Sequence, residues 1–139
     1  MIKYLLETTT CSYLMANHAQ VKNRLTSVQV TDYLFTCPIV RGEILFGIER
    51  LASGRKRQSL ENQAKNLFAG LVCDPIPEKA GDFYARIKRA AQKQGTSLDE
   101  CDLWIAATAL ALGAVLVTSD GDFHRVQGLF GLQLEDWKV

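Results

Sequence analysis

Short apolar runs alternate along this chain with longer segments whose apolar residues recur at the spacing of a helix. The first run, residues 2–6, ends at Glu7 before three consecutive threonines, which predicts a strand followed by a helix. Residues 33–36 form a second apolar run, and Pro38 suits the first turn of a helix that ends near Gly54. The same strand-to-helix pattern therefore occurs twice in the first part of the chain.

The alternation continues after Gly54. Residues 55–70 have helical spacing, residues 71–73 predict a short strand, and a further helix is expected from about residue 78 to residue 94. Ser97 and Glu100 fit the Ser-x-x-Glu capping box, which predicts the start of a helix that is apolar on nearly all sides and therefore buried. Gly113 ends this helix, and a strand at 114–117 and a turn at 118–122 follow.

Strands that alternate with helices predict an α/β fold, with a mostly parallel sheet and helices on both faces. At 139 residues, without repeats or long linkers, the chain is expected to form one domain, residues 1–139, around one core. Its start lacks the pattern of a signal peptide, and no stretch is apolar enough to span a bilayer. We therefore expect no membrane association and a cytoplasmic location.

The composition says little about partners. Sixteen Lys and Arg residues against fifteen Asp and Glu residues give a net charge of +1, so nucleic-acid binding would depend on local patches. The basic residues at 55–57 and 86–93 could contact phosphates, but the favoured interpretation is that they form solvated helix faces. The four cysteines, which are widely spaced, are interpreted as reduced and mostly buried thiols; they are Cys11, Cys37, Cys73 and Cys101.

Acidic residues lie at strand ends and helix starts that should share one edge of the sheet. In a parallel α/β sheet, ligands bind outside the carboxyl ends of the strands, where the following helices begin. Glu7 and Asp120 each follow a predicted strand. Glu43 lies in the second turn of the helix that begins near Pro38, whereas Asp99 and Asp102 lie in the first turns of the later capped helix. Acids from four separate segments are therefore expected to converge.

A cluster of like charges is unfavourable unless a cation balances it. Oxygen ligands without histidine or thiolate favour Mg²⁺ or Mn²⁺ over zinc. Such an ion can activate water and stabilise the charge on a phosphodiester, so the pattern favours phosphodiester hydrolysis.

These acids also have structural explanations. Glu7 and Asp120 could only cap the helices that they precede, and Asp99 suits a helix N-terminus because of the helix dipole. Glu43 could be a solvated helix residue. Asp102 is the hardest to explain in this way, because a buried, unpaired carboxylate at the start of an apolar helix is costly.

Three segments resemble the VapC-like PIN-domain ribonucleases: the helix at 102–109, the strand and turn at 116–123, and the C-terminal residues 128–137. Residues 4–9 resemble the family's Asp-Thr-Asn opening, and residues 43–47 resemble its Glu-Leu-x-x-Gly helix. The resemblance covers nearly the whole chain. It implies a PIN-like three-layer domain whose mostly parallel sheet has four to five strands flanked by helices.

The resemblance also implies an endoribonuclease that depends on Mg²⁺ or Mn²⁺ and acts as the toxin of a toxin–antitoxin pair. The family's catalytic acids fall on Glu7, Glu43, Asp102 and Asp120. Further implied site residues are Asp122, as a metal ligand beside Glu7, Asp102 and Asp120, Thr118, as a supporting hydroxyl, and Asp99, as an auxiliary acid. The implied partners are RNA, a second copy in a homodimer, and a VapB-like antitoxin that covers the acidic pocket.

The chain departs from the family pattern at its opening, where Glu7 replaces aspartate and Thr9 replaces asparagine. The longer side chain of Glu7 predicts a weakened metal site, unless the smaller Thr9 gives a bent glutamate room. The alternative function is therefore an impaired PIN-like module that binds antitoxin or RNA without turnover. A phosphatase that forms an aspartyl-phosphate is disfavoured, because it would need aspartate at position 7.

Overall fold

A computed structural model describes all 139 residues as a five-stranded parallel sheet flanked by helices. The strands are β1 (Lys3–Leu6), β2 (Tyr33–Thr36), β3 (Val72–Cys73), β4 (Val115–Val117) and β5 (Leu134–Glu135). The helices are α1 (Thr8–Met15), α2 (Ala19–Thr26), α3 (Pro38–Glu49), α4 (Arg55–Gly70), α5 (Lys79–Gln94) and α6 (Glu100–Ala111). Two short 3₁₀ segments, Gly121–Val126 and Leu129–Gly131, lie between β4 and β5.

The strand order is β3-β2-β1-β4-β5, and each neighbouring pair is parallel. The chain thus builds the sheet outward from β1 in one direction and then returns to add β4 and β5 on the other side. Right-handed crossovers place α1 to α4 on one face and α5 and α6 on the other. The contacts agree, because α1, α3 and α4 pack together and α5 packs along α6. The strand order reverses between β1 and β4, where open parallel sheets bind ligands.

The core lies around β1, β4 and α6. Leu5, Leu116 and Ile105 are fully buried, as are the alanines of α6 at positions 106, 107 and 109. Helix α6 contacts β4, α5 and α3, which explains why it is apolar on nearly all sides. The predicted α/β fold and the predicted burial of this helix are therefore confirmed. No helix combines the length and the apolar character needed to cross a membrane.

Two local predictions are wrong. The residue that caps α6 is Asp99, whose carboxylate accepts a hydrogen bond from the Cys101 backbone N at 3.2 Å, and not Ser97. Aspartate is as good an N-cap as serine, and Leu98 is buried before the helix begins. The cysteines are free, as expected, but only two are buried; Cys73 and Cys101 are exposed.

Candidate metal centre

Carboxylates from three separate segments meet at the carboxyl ends of the neighbouring strands β1 and β4. Glu7 follows β1 directly, Asp102 lies in the first turn of α6, and Asp120 lies in the loop after β4. One carboxylate oxygen from each of the three lies within 4.8 Å of the others. This carboxylate cluster, Glu7, Asp102 and Asp120, is compact enough for one divalent ion to contact all three, and its oxygen-only donors suit Mg²⁺ or Mn²⁺.

Glu7 is almost completely buried, and one of its oxygens is held by three donors. The Glu7 Oε1 atom accepts hydrogen bonds from the Thr9 backbone N at 2.9 Å, the Thr9 hydroxyl at 2.6 Å and the Thr118 hydroxyl at 2.7 Å. The backbone N of Glu7 donates to the Val117 carbonyl at 3.0 Å, which fixes the residue to the end of β4. These bonds hold Oε1, so Oε2 is the oxygen that can serve another ligand.

The same threonines connect α1 to the loop after β4. The backbone N of Asp120 donates to the Thr118 hydroxyl at 3.0 Å, and the Ser119 backbone N donates to the Thr9 hydroxyl at 2.9 Å. The Thr10 hydroxyl donates to the Val117 carbonyl at 2.9 Å. Thr118 therefore links two members of the carboxylate cluster. Sequence reasoning missed the anchoring by Thr10, although the run of hydroxyls after a strand-end acid was a signal for it.

The electrostatics of the carboxylate cluster are unfavourable without a cation. Burial, and after it the neighbouring charges of Glu43, Asp120 and Glu7, together raise the pKa of Asp102 to about 7. Burial also raises the pKa of Glu7, although the hydrogen bonds from Thr9 and Thr118 oppose this. The arrangement therefore favours a bound proton or a bound cation.

The remaining predicted acids surround the carboxylate cluster without joining it. Glu43, on α3, accepts a hydrogen bond from the Thr8 hydroxyl and lies close enough to affect the pKa of Asp102. Asp99 is exposed and caps α6.

The carboxylate of Asp122 is exposed and pairs with Arg125 at 3.3 Å, because the two lie three residues apart in a 3₁₀ segment. Asp122 is therefore outside the carboxylate cluster, although it was predicted as a fourth ligand. Its backbone N does donate to Asp120 Oδ1 at 2.9 Å. Glu7 and Asp120 also cap the helical segments that they precede. The capping role considered from the sequence is therefore observed for both residues, in addition to their place in the carboxylate cluster.

Comparison with known proteins gives a consistent result. Residues 4–129 match the family model of the PIN domain. The chain is 31% identical over 137 residues to ribonuclease VapC1 of Haemophilus influenzae strain R2866, covering 96% of this chain and 97% of that one. The structure of VapBC-1 from nontypeable Haemophilus influenzae contains a chain with 28% identity and a TM-score of 0.83, covering 99% of this chain and 100% of that one. A chain in the structure of VapBC2 from Rickettsia felis also has this fold. It is 24% identical, with a TM-score of 0.85, and the match covers 98% of this chain and 99% of that chain.

Proposed function

The chain belongs to the PIN-domain family, and on this basis we propose that it is an endoribonuclease that hydrolyses RNA phosphodiester bonds and acts as the toxin of a toxin–antitoxin pair. The observation that carries the proposal is the carboxylate cluster, three acids from distant segments within 4.8 Å of one another. The names of its relatives support the substrate, because they are called VapC ribonucleases.

We assign the binding of Mg²⁺ or Mn²⁺ to Glu7, Asp102 and Asp120. When bound, such an ion supplies an activated water and stabilises charge on the phosphodiester. Thr9 and Thr118 keep the Glu7 carboxylate in one orientation through its Oε1 atom.

Glu43 is assigned as a catalytic carboxylate beside this set, in the role of general base. Its Oε1 accepts a hydrogen bond from Thr8, so its Oε2 is the atom assigned to take a proton from the attacking water. Asp122 acts as an auxiliary residue by holding the carboxylate of Asp120 through its backbone N. Asp99 is assigned an auxiliary role because it positions the first turn of α6, which carries Asp102.

The proposed partners are RNA, a VapB-like antitoxin and a second copy of the chain, and the proposed location is the cytoplasm. The antitoxin is supported by solved VapBC complexes that contain chains with this fold. A cationic side chain of the antitoxin can replace the charge of the metal, because a guanidinium pairs bidentately with carboxylates.

Incubation of the purified protein with labelled total RNA tests the function. We expect cleavage with Mg²⁺ or Mn²⁺ and none with EDTA. Undiminished cleavage in EDTA would contradict the metal requirement. If the protein binds RNA or antitoxin but cleaves no RNA with either ion, it is the impaired PIN-like module instead.

A further inference from the structure

An open groove lies along one face of α3, and its lining includes residues that neighbour members of the carboxylate cluster. Its volume is about 630 Å³, within the range of pockets that hold small ligands, and its lining includes Glu43, Phe46, Arg50 and Cys101. Cys101 immediately precedes Asp102, and Glu43 is bound by the hydroxyl of the residue that follows Glu7. One end of this α3 groove therefore adjoins the site of the proposed reaction.

Phe46 is an exposed aromatic residue in the α3 groove. It is 65% exposed, although α3 buries other apolar side chains, such as Ile44 and Ile48, on its opposite face. The ring lies 5.9 Å from the guanidinium carbon of Arg50, one helical turn further along. A flat apolar face beside a cation is the arrangement on which proteins stack unpaired bases.

Two glycines leave the backbone of α3 bare beside this ring. Gly42 and Gly47 lie within the helix, where glycine is less stable than alanine. A Cβ atom at either position would meet no atom within 4 Å, so packing within the chain does not require glycine there. Residues at 43, 46, 47 and 50 share one helix face because they are three or four positions apart. Because the two glycines have no side chains, a planar ligand has space to lie against the ring of Phe46.

Arg50 gives the far end of the α3 groove a positive charge. It forms no ion pair with any carboxylate of the chain, whereas the neighbouring Glu49 and Glu61 pair with Arg57. Arg50 follows Glu43 by seven residues, which corresponds to roughly 10 Å along a helix. A phosphate bound at Arg50 would therefore lie a short distance from the carboxylate cluster. One RNA strand could contact both.

We propose that the α3 groove binds an unpaired nucleotide next to the scissile phosphodiester, with its base on Phe46 and its phosphate on Arg50. This inference rests on the ribonuclease function proposed above. It selects single-stranded or looped RNA, because a base must leave its duplex to stack on a side chain. Phe46 and Arg50 then position the strand, whereas the carboxylate cluster carries the chemistry.

Fluorescence anisotropy with a short, fluorescein-labelled single-stranded RNA tests the proposal. All variants are made in an Asp102→Asn background, so that the RNA stays intact. Phe46→Ala and Phe46→Leu should each raise Kd about tenfold, because leucine keeps the apolar volume but has no aromatic face, whereas Phe46→Trp should not weaken binding. Arg50→Gln should lower the slope of log K against log salt by about 0.7, the value for one contact to a single-strand phosphate.

Matched controls separate this proposal from the function on which it rests. Phe130→Ala removes a 52% exposed aromatic at the opposite end of the sheet, and Arg55→Gln removes an exposed charge on α4; neither should change Kd. If the unsubstituted protein cleaves RNA but Phe46→Ala binds it as tightly as Phe130→Ala does, the α3 groove proposal is wrong and the ribonuclease function stands. If the unsubstituted protein neither binds nor cleaves RNA, the ribonuclease function itself is wrong.

Sedimentation of the same variants distinguishes RNA from a second copy of the chain as the occupant. An unchanged oligomeric state together with the loss of RNA affinity supports the nucleotide site. If Phe46→Ala dissociates an oligomer that Phe130→Ala leaves intact, the groove is an interface between copies and the proposal is overturned.

Discussion

Three hydrogen bonds to one oxygen, Oε1, hold the carboxylate of Glu7 in place. This arrangement depends on the length of the glutamate side chain. From the sequence, the extra methylene relative to aspartate suggested a weakened metal site. In the structure the side chain bends back, and the hydroxyl of Thr9 donates to it at 2.6 Å. This geometry favours the other alternative, in which Glu7 and Thr9 form a matched pair.

We predict that Glu7→Asp weakens Mn²⁺ binding several-fold, because the shorter side chain withdraws the carboxylate from the hydroxyl of Thr118 and from the other two acids. Restoring the family pattern with Glu7→Asp and Thr9→Asn together should recover the affinity. Calorimetric titration of both variants, at matched folding stability, measures the effect. Tighter binding by Glu7→Asp alone would mean that the native glutamate impairs the site.

A second prediction concerns Asp102, whose pKa is about 7 in the folded protein against an ordinary value of 3.8. Between these values the folded protein holds a proton that the unfolded chain releases, so stability without metal falls as the pH rises from about 4 to about 7. Asp102→Asn removes the part of this dependence that comes from Asp102. In EDTA at pH 8 it should raise the free energy of unfolding by about 2 kcal/mol, after an allowance for solvent screening of this half-buried group.

Urea unfolding at a series of pH values measures this effect. The advantage of Asp102→Asn should disappear near pH 4, and Asp82→Asn, at an exposed acid on α5, should show no comparable trend. An equal gain at all pH values would show that the substitution acts through packing rather than charge.

The sequence predicted the acids of the site better than their supporting contacts. Glu7, Asp102 and Asp120 follow from a general rule about the edge of a parallel sheet, which needs only the element order. The pairing of Asp122 with Arg125 and the donation by Thr9 depend on side-chain conformations in a folded loop. No spacing rule specifies those conformations.

Among the elements, α6 most directly determines where Asp102 lies. It packs against β4 and α5, and Ala106 is completely buried. Because no space is left at this position, we predict that Ala106→Leu destabilises the protein by about 1–3 kcal/mol and weakens metal binding by shifting the start of α6. Thermal unfolding and Mn²⁺ titration check the two effects.

The control for this substitution is Ala111→Leu, at a partly exposed position near the end of the same helix. It should change stability by less than about 0.5 kcal/mol and leave metal affinity unchanged. If Ala106→Leu were as harmless, the close packing of α6 would not be what positions Asp102.

Elements with a strong apolar pattern were predicted from the sequence, and those without one were not. Strands β1 to β4, helix α1 and helices α3 to α6 were anticipated, with errors of a few residues at their ends. Helix α2 buries only Val21, and β5 has only two residues at the edge of the sheet. Neither carries enough apolar periodicity to be recognised before the fold is known.

At the scale of the whole molecule, the sheet order creates the site. Glu7 is about a hundred positions away from Asp102 and Asp120 in the sequence. The three residues meet because β4 pairs with β1 after the chain has formed the other side of the sheet. The fold thus concentrates negative charge at one edge, although the chain as a whole carries only +1.

This concentration of charge leads to a prediction about the partner. Expression together with the neighbouring gene should yield a stable complex with a small antitoxin, in which a basic side chain, expected to be arginine, contacts the carboxylate cluster. The complex should bind Mn²⁺ more weakly than the free protein, since both cations need the same oxygens. If the chain purifies alone from such cells and leaves their growth unaffected, the toxin–antitoxin assignment is wrong.

A Mn²⁺ titration of the protein and of three single variants tests directly whether the carboxylate cluster holds the metal. We predict that Asp102→Asn and Asp120→Asn each lower the affinity at least tenfold, because asparagine keeps the shape of the ligand but removes its charge. Asp82→Asn, which removes an equal charge from an exposed position on α5, should bind Mn²⁺ like the unsubstituted protein. Equal affinity in all four proteins would contradict the claim that the carboxylate cluster holds the metal.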